Sequence, residues 1–189
     1  EASAYYIEKY LNGEYGGVND VHPDLSSLTY ALDRFAASNE IRDYLKRPNS
    51  LVISDRYVAS NLAHQGAKIA DSKKRHEFYE RTIQTEYDIL AIPRPDLNIV
   101  LTVPTETMQK NVDKKDVRGY TEKKRDIHEA DANHLENAKQ NFIELCEMYP
   151  KEFTEIACTD SAHTMLPVDE IHQHIVRLVS QLPNHEPHR

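Results

Sequence analysis

An aspartate and an arginine, Asp55 and Arg56, lie at the C-terminal end of the short apolar run Leu51-Val52-Ile53, one residue beyond it. That run predicts a buried strand of a parallel sheet, because such strands are apolar on both faces. Two charges at the end of a buried strand are costly unless each is paired, so we expect them to face a crevice or a ligand. The alternative is an ion pair between the two side chains that has only a structural role.

Two predicted helix faces carry side chains suited to a flat, polar ligand. Asn61, His64 and Gln65 occupy positions i, i+3 and i+4, which places them on one helix face. Tyr30 and Arg34 are four residues apart and share a face of an earlier helix. An aromatic ring beside a guanidinium suits a heteroaromatic ligand, because the ring can stack while the guanidinium donates hydrogen bonds. The alternatives are a solvated helix face for the first set, and a core tyrosine with a surface arginine for the second.

A basic stretch between residues 110 and 125 stands out in a chain of net charge −8. Its positive side chains are Lys110, Lys114, Lys115, Arg118, Lys123, Lys124 and Arg125. With Gly119 inside it, the stretch predicts a mobile basic lid over about 113–125 that closes over phosphates. The alternative is a solvated charged linker, which is what most charge runs are.

The composition bounds the class of protein. The 189 residues favour a single domain, and the net charge of −8 argues against broad binding to nucleic acids or membrane surfaces. No apolar run approaches the ~18–20 residues of a membrane span, and no secretory signal is visible at the N-terminus. Cys146 and Cys158 lack metal-site spacing, so free thiols in a reducing compartment are expected, with a disulfide as the alternative. The chain is therefore predicted to be cytoplasmic.

Strands and helices alternate along the chain, which predicts an α/β protein with a parallel sheet. Apolar runs predict three strands, at 51–53, 97–103 and 153–158. Helical spacing of apolar residues predicts helices over 3–11, 23–46, 57–68, 72–90, 105–112, 126–149 and 168–178. We expect one domain over 1–183 and a frayed tail over 184–189. Ligands of such sheets bind beyond the carboxyl ends of the strands, and Asp55 and Arg56 lie at one such end.

Two of the predicted helices are clearly amphipathic. The apolar stripe of the helix over 23–46 consists of Leu25, Leu28, Leu32 and Phe35. The stripe of the helix over 126–149 consists of Leu135, Ala138, Phe142 and Leu145. Spacings of three and four residues are typical of an apolar face that packs on a core. Tyr30 and Arg34 lie on a different face of their helix from its stripe.

Taken together, these segments resemble the thymidylate kinases, which phosphorylate dTMP from ATP. The matching segments, in order, are YLNG, LTYALDRF, LVISDRYVASNLAHQG, DLNIVLTV, the basic lid and RDIHEADANHLENA. They cover the chain to about Val179, and DRYVASN is the most specific of them. The resemblance implies a P-loop NTPase-like parallel sheet with flanking helices and a basic lid. It also implies ATP as co-substrate, Mg²⁺ as cofactor and a homodimer.

The resemblance assigns five residues to the nucleoside of dTMP. Tyr30 stands where the family stacks an aromatic ring, usually of Phe, on thymine. Arg34 would hydrogen-bond the edge of the base, and Asn61 and Gln65 would face the thymine. His64 replaces a Tyr that many members use to crowd the sugar 2′ position, and this departure bears on the preference for deoxyribose.

The resemblance assigns four residues to the phosphates. Arg56 would hold the dTMP phosphate near the transferred group, and Asp55 would organise the magnesium ion through its water shell. Arg118 and Arg125 fall in the lid, where the family places arginines that reach the transferring phosphate. Such a basic lid also excludes water, which would otherwise take the phosphoryl group.

The family's P-loop is expected upstream of Glu1, because no G-x-x-x-x-G-K-[ST] occurs in the 189 residues. The resemblance implies a preceding βαβ portion of roughly 30–50 residues that holds ATP. Either such residues precede Glu1, or the chain is a fragment that cannot hold ATP; the 189 residues alone are expected to be inactive. Two alternatives stay open: a kinase for another nucleoside or deoxynucleoside monophosphate, which His64 motivates, and a non-catalytic nucleotide-binding paralogue.

Overall fold

A computed structural model describes residues 3–104, 107, 131–162 and 164–182 of the chain. Its helices within these ranges are α1 (Tyr5–Leu11), α2 (Pro23–Leu45), α3 (Val58–Gly66), α4 (Ser72–Ile83), a π-helical segment (Gln84–Ile89), α5 (Ala132–Met148) and α6 (Val168–Ser180). Its strands are β1 (Asn98–Thr102) and β2 (Phe153–Ala157). The predicted helix over 105–112, the lid over 113–125 and the tail over 184–189 fall outside the described residues, apart from residue 107.

The sheet of the described ranges pairs β1 with β2 in parallel. Its register runs from Asn98 opposite Phe153 to Thr102 opposite Ala157. Both strands were predicted from their apolar residues, and the parallel arrangement was predicted from the alternation with helices. A connection through a helix is what parallel strands require, and α5 lies between the two in the chain.

The third predicted strand, Leu51-Val52-Ile53, is wrong. These residues form no strand, and their side chains are exposed, with Ile53 at 78%. An apolar run becomes a strand only where a neighbour accepts and donates its main-chain hydrogen bonds. No strand within the described ranges lies alongside residues 51–53. Asp55 and Arg56 therefore follow an exposed segment and not a buried strand.

The hydrophobic core lies where α3, α4, α5 and β1 meet. Its fully or nearly buried members include Val58, Leu62, Ala63, Phe78, Tyr79, Val100 and Leu145. Gly66 ends α3 against this core, and a Cβ there would lie 2.8 Å from Tyr79 Cε1. The predicted apolar stripe of α5 does face inwards, because Leu135, Ala138 and Leu145 are buried.

Helix α4 is tied to α5 by one carboxylate, that of Glu144. It accepts hydrogen bonds from Arg75 Nε (3.0 Å) and Nη2 (3.1 Å) and from Tyr79 Oη (3.2 Å). His76 Nε2 lies 2.9 Å from Glu144 Oε1. Partial burial alone raises the pKa of Glu144, but the bonds from Arg75 and His76 lower it overall to about 2. The carboxylate is therefore charged at neutral pH and holds the two helices together.

Helix α2 begins as the sequence predicts, with Pro23 in its first turn and His22 Nδ1 accepting from Asp24 N at 3.3 Å. Its inward face was predicted wrongly. The stripe residues Leu25, Leu28, Leu32 and Phe35 are between 43% and 59% exposed. The buried residues are small and are Ser26, Ser27, Ala31 and Ser38. Hydrogen-bonded serines can be buried at little cost, and their short side chains let α2 lie close to α3.

The predicted helix over 72–90 changes its winding part of the way along. Asp71 caps α4, its Oδ1 accepting from Lys74 N at 2.9 Å, and the chain then widens into the π segment Gln84–Ile89. The segment ends at Ile89, and Ala91, two residues further on, has a left-handed φ of 50°. Short π segments inside α-helices are rare and frequently occur at functional sites.

Both cysteines are free thiols, as predicted; Cys158 is buried and Cys146 is half-buried. Within the described ranges, no helix is both long enough and apolar enough to cross a membrane.

Candidate active site

The predicted ligand-binding face of α3 packs directly against α2. Ser26 Oγ donates to Gln65 Oε1 at 2.6 Å. Asn61 Nδ2 donates to the main-chain oxygen of Ser27 at 3.1 Å and to its hydroxyl at 2.9 Å. All four residues are buried. The structure therefore joins two of the residues predicted on α3, Asn61 and Gln65, to the helix that carries Tyr30 and Arg34.

A buried carboxylate, that of Glu86 in the π segment, connects the two helices further. Its Oε2 accepts from Arg34 Nε at 2.5 Å and its Oε1 accepts from Arg34 Nη2 at 2.6 Å. Oε1 also accepts from Asn61 Nδ2 at 2.8 Å. The Glu86 side chain is fully buried and that of Arg34 is 13% exposed. Arg34 and Asn61, both predicted to meet a ring, thus share one charged, hydrogen-bonded anchor.

Sequence reasoning missed Glu86. It lies 52 residues from Arg34 and 25 residues from Asn61 along the chain. In a chain with 29% charged residues, a single glutamate gives no warning of burial. The sequence carried one indication that Glu86 faces inwards: Phe78, Thr82 and Glu86 are spaced four residues apart, and all three are buried. A glutamate on the inward stripe of a helix needs a partner, and Arg34 supplies it.

Two hydrogen-bonding groups of this cluster are left for other partners. Asn61 Oδ1 is buried and has no hydrogen-bond partner among the residues that the structure describes. Over the same part of the chain, Arg34 bonds through Nε and Nη2 but not through Nη1. A buried polar atom without a partner calls for an explanation, and a ligand is one such explanation. The cluster offers that ligand one acceptor and one donor.

Arg56 lies in a left-handed backbone conformation, with φ at 69°. Ser54 Oγ donates to its main-chain oxygen at 2.6 Å. A non-glycine residue held in this conformation costs about 1–3 kcal/mol, and such residues cluster at active sites. The predicted alternative of an Asp55–Arg56 ion pair does not occur, since both side chains are exposed and unbridged within the described ranges.

His64 lies between Arg56 and the start of α5. Its Nε2 is 3.5 Å from Arg56 Nη1, so the structure brings these two predicted residues together. Its ring stacks on that of His134, with centroids 5.7 Å apart, and meets Phe142 edge-on at 6.1 Å. Burial, and then the nearby charge of Lys68, lowers the pKa of His134 to about 4. His134 is therefore a neutral ring at physiological pH.

Tyr30 lies one turn before Arg34 on α2 and is half-buried. Its ring packs edge-on with that of Tyr10, with centroids 6.5 Å apart. Lys68 Nζ lies over the ring of Tyr10, 5.0 Å from its centroid, and donates to Ser26 Oγ at 3.0 Å. Burial lowers the pKa of Lys68 to about 8. No contact within the described ranges tests whether Tyr30 stacks on a base.

A polar cavity of about 440 Å³ opens between the end of α3 and α5. It is lined by Lys68, Arg75 and His134 among others, and by none of the residues predicted from the sequence. Its charged groups are already engaged, Lys68 with Ser26 and Arg75 with Glu144. We therefore place the candidate site at the Arg34–Glu86–Asn61 cluster, where Asn61 Oδ1 has no partner among the described residues, and not in this cavity.

The remaining predicted residues are Asp55, Arg118 and Arg125. Asp55 is an exposed carboxylate next to Arg56. No group of three or more His, Cys, Asp or Glu side chains suited to a metal occurs in the described part of the chain. Arg118 and Arg125 lie outside the described residues. The described arrangement can thus bind the edge of a polar ring and an anion, the latter through Arg56.

A family model described as thymidylate kinase matches residues 5–175. The "Probable thymidylate kinase" of Thermococcus gammatolerans is 24% identical over 174 residues, which cover 90% of this chain and 72% of that protein. The "Probable thymidylate kinase" of Methanocaldococcus jannaschii is 27% identical over 184 residues, 97% of this chain and 82% of that protein. The "Thymidylate kinase" of Mycobacterium tuberculosis is 35% identical over 98 residues, 51% of this chain and 44% of that protein.

Proposed function

The chain belongs to the thymidylate kinase family, which has a P-loop NTPase fold, and from this we propose that it transfers a phosphoryl group from ATP to dTMP. One observation carries the proposal: the buried acceptor Asn61 Oδ1 lies beside an anchored Arg34. The exposed Arg56 lies just before the start of α3, with its Nη1 3.5 Å from His64 Nε2. A base and a phosphate of one nucleotide are the two kinds of group that this arrangement suits.

The base of dTMP is proposed to lie between α2 and α3. Thymine offers a ring N–H donor and carbonyl acceptors, which match Asn61 Oδ1 and Arg34 Nη1. Tyr30 would stack on the ring from α2, since aromatic side chains pack well on flat heterocycles. Gln65 would close the pocket from α3, held by the bond from Ser26 to its Oε1.

The phosphate of dTMP is proposed to bind Arg56, because a guanidinium matches the geometry of phosphate oxygens. Phosphoryl transfer needs little covalent chemistry from a protein and depends on placing two phosphates in line with their charge neutralised. Arg118 and Arg125 of the lid are proposed to reach the transferring group. Asp55 would hold Mg²⁺ through water, which fits an ion that keeps several waters and needs few carboxylates. When bound, Mg²⁺ neutralises charge on the phosphates.

The wider organisation is proposed from the family. Residues 1–183 would form one domain with its lid over 113–125, followed by the tail over 184–189, in a cytoplasmic homodimer. The exposed apolar stripe of α2 supports the homodimer, because it offers surface that a second copy can bury. The 189 residues alone are proposed to bind dTMP but to need a P-loop before they turn over ATP.

A kinase for a different monophosphate is the second candidate, and His64 favours it. The imidazole of His64 is smaller than the side chain of the family's usual Tyr, and it packs against the rings of His134 and Phe142. Less crowding at the sugar 2′ position would admit a ribose. This candidate predicts that UMP binds as tightly as dTMP.

Calorimetric titration of the protein with dTMP, dCMP, UMP and thymidine tests both candidates. We expect dTMP to bind more tightly than any of the other three. Transfer of ³²P from γ-labelled ATP to the same acceptors then tests the reaction, with P-loop residues present. Tighter binding or faster transfer with dCMP, UMP or thymidine than with dTMP would refute the proposed function.

A further inference from the structure

Glu86 is a buried charge with no part in the phosphoryl transfer proposed above. Its carboxylate is fully buried, and its hydrogen bonds go to Arg34 and Asn61. It also lies in the π segment, the one stretch of non-α winding among the described helices. A buried carboxylate needs strong pairing to be tolerated at all. What it does for its two partners therefore deserves a chemical explanation.

Glu86, together with the main-chain oxygen of Ser27, determines which way the side-chain amide of Asn61 faces. The amide nitrogen lies near three oxygens: Glu86 Oε1 at 2.8 Å, the Ser27 main-chain oxygen at 3.1 Å and the Ser27 hydroxyl at 2.9 Å. A carboxylate and a carbonyl can only accept hydrogen bonds. A flipped amide would set Asn61 Oδ1 against both of them. Oδ1 must therefore face the site, and Asn61 can offer a ligand only an acceptor.

Glu86 also determines what Arg34 offers. The carboxylate takes the Nε and Nη2 edge of the guanidinium in a bidentate pair. The Nη1 group is then the part left for a ligand, and an arginine can only donate. The pair Asn61 and Arg34 thus presents one acceptor and one donor, in a fixed order, to whatever edge lies against them.

This order distinguishes between pyrimidines. Thymine and uracil carry an N3–H donor next to an O4 acceptor, which fits the acceptor of Asn61 and the donor of Arg34. Cytosine has the opposite pattern, with an N3 acceptor next to an N4 amino donor. Against cytosine, Asn61 Oδ1 would meet a lone pair and Arg34 would meet an amino group.

We propose that Glu86 is a positioning residue that makes the acceptor site select thymine or uracil over cytosine. It never touches the nucleotide; it acts by fixing the Asn61 amide and the Arg34 guanidinium. This inference rests on the proposed function, since it takes the base of the acceptor to lie at these two side chains. It adds a residue and a cause of selectivity that the proposed function does not require.

The test compares dTMP and dCMP binding by calorimetry in the wild-type protein and in Glu86→Gln. A glutamine can turn its own amide nitrogen toward Asn61, which leaves the Ser27 main-chain oxygen as the one remaining obligate acceptor beside the Asn61 amide. The flipped amide, which offers Nδ2 to the base, then becomes more populated than in the wild-type protein. We expect the ratio of dTMP to dCMP affinity to fall at least about tenfold in Glu86→Gln, the scale of one good base-edge contact. Asp88→Asn is the matched control, because Asp88 is an exposed carboxylate on the same π segment; it should keep the wild-type ratio.

The outcomes separate this inference from the proposed function. If wild-type protein binds dTMP but Glu86→Gln weakens both nucleotides equally, Glu86 has only a structural role and the inference fails while the function stands. If wild-type protein does not bind dTMP, the proposed function fails first. Glu86→Asp serves if Glu86→Gln does not fold, because it keeps the charge but is too short to hold both partners. Its ratio should fall as well, and an unchanged ratio in a folded Glu86→Asp protein would overturn the proposal.

Discussion

Replacing Arg56 by alanine isolates the proposed phosphate contact. The Arg56 side chain is exposed, and its nearest polar partner in the described ranges is His64 Nε2 at 3.5 Å. Among the residues that the structure describes, the change removes no ion pair, and alanine can follow the same backbone as arginine. We therefore expect the free energy of unfolding to stay within about 0.5 kcal/mol of the wild-type value.

The expected loss of dTMP binding can be worked from this geometry. A hydrogen bond to a charged group contributes about 1.5–3 kcal/mol. Arg56 is exposed and pairs with no carboxylate of the described ranges, so it can give this contribution to a phosphate. Since each 1.4 kcal/mol is tenfold in affinity, Kd for dTMP should rise roughly 10- to 150-fold. Thymidine has the same base and sugar but no phosphate, so its Kd should not change.

Calorimetry at about 0.15 M salt measures both ligands with both proteins. Arg177→Ala is the matched control, because Arg177 is an exposed arginine on α6 whose Nε donates to the main-chain oxygen of Gln173 at 3.3 Å. It should alter neither Kd. Equal weakening of dTMP and thymidine in Arg56→Ala would show that Arg56 shapes the pocket and does not hold the phosphate. An unchanged Kd for dTMP would remove Arg56 from the site altogether.

Three further predictions concern the frame of the site. Glu144→Gln should lower the free energy of unfolding by about 2 kcal/mol at pH 7. Because the folded pKa of Glu144 is about 2, this difference between the two proteins should shrink as the pH falls below about 4.5. Urea titrations at several pH values measure it, and a difference that does not change with pH would contradict the prediction. His134 is kept neutral by a pKa of about 4, so the free energy of unfolding of the wild-type protein should fall as the pH drops from 6.5 to 5. His134→Gln should abolish this pH dependence, while the control His172→Gln, at an exposed position of α6, should keep it. Ser27→Val should cost about 1–3 kcal/mol by overfilling the contact of α2 with α3, whereas Leu28→Val, at an exposed neighbour, should leave the melting temperature nearly unchanged.

The elements of the fold were largely predictable, but the side of α2 that faces inwards was not. The periodicity of Leu25, Leu28, Leu32 and Phe35 correctly indicated a helix. It indicated the wrong inward face. The serines of the opposite face form hydrogen bonds to α3 and within α2, and that face can therefore be buried. Periodicity measures where apolar residues lie and does not report which polar residues will find partners.

The strand prediction at 51–53 failed for a related reason. A strand depends on hydrogen bonds to a neighbour that is remote in sequence, and three apolar residues say nothing of that neighbour. The strands at 98–102 and 153–157 were predictable since each is long enough, and they pair with each other.

Sequence motifs named several residues of the candidate site, whose roles toward a nucleotide stay predictions, but they did not indicate how the site is organised. Motifs pointed to Arg34, Asn61, Arg56 and His64, and the structure brings them together in two pairs. The carboxylate of Glu86 that joins the first pair belongs to no motif. Its burial depends on the turn of a helix relative to two others, which the sequence alone does not specify.

The short side chains between α2 and α3 have a consequence for how the site responds to a ligand. Serine and alanine have little rotamer freedom, so docking of the two helices orders few side-chain torsions. The distance between the helices is then determined by short, hydrogen-bonded side chains and not by long ones that can swing aside. A base that needs a wider gap can be admitted only if a whole helix shifts. We expect purine nucleotides to be excluded for this mechanical reason, even where their hydrogen-bonding edges would match.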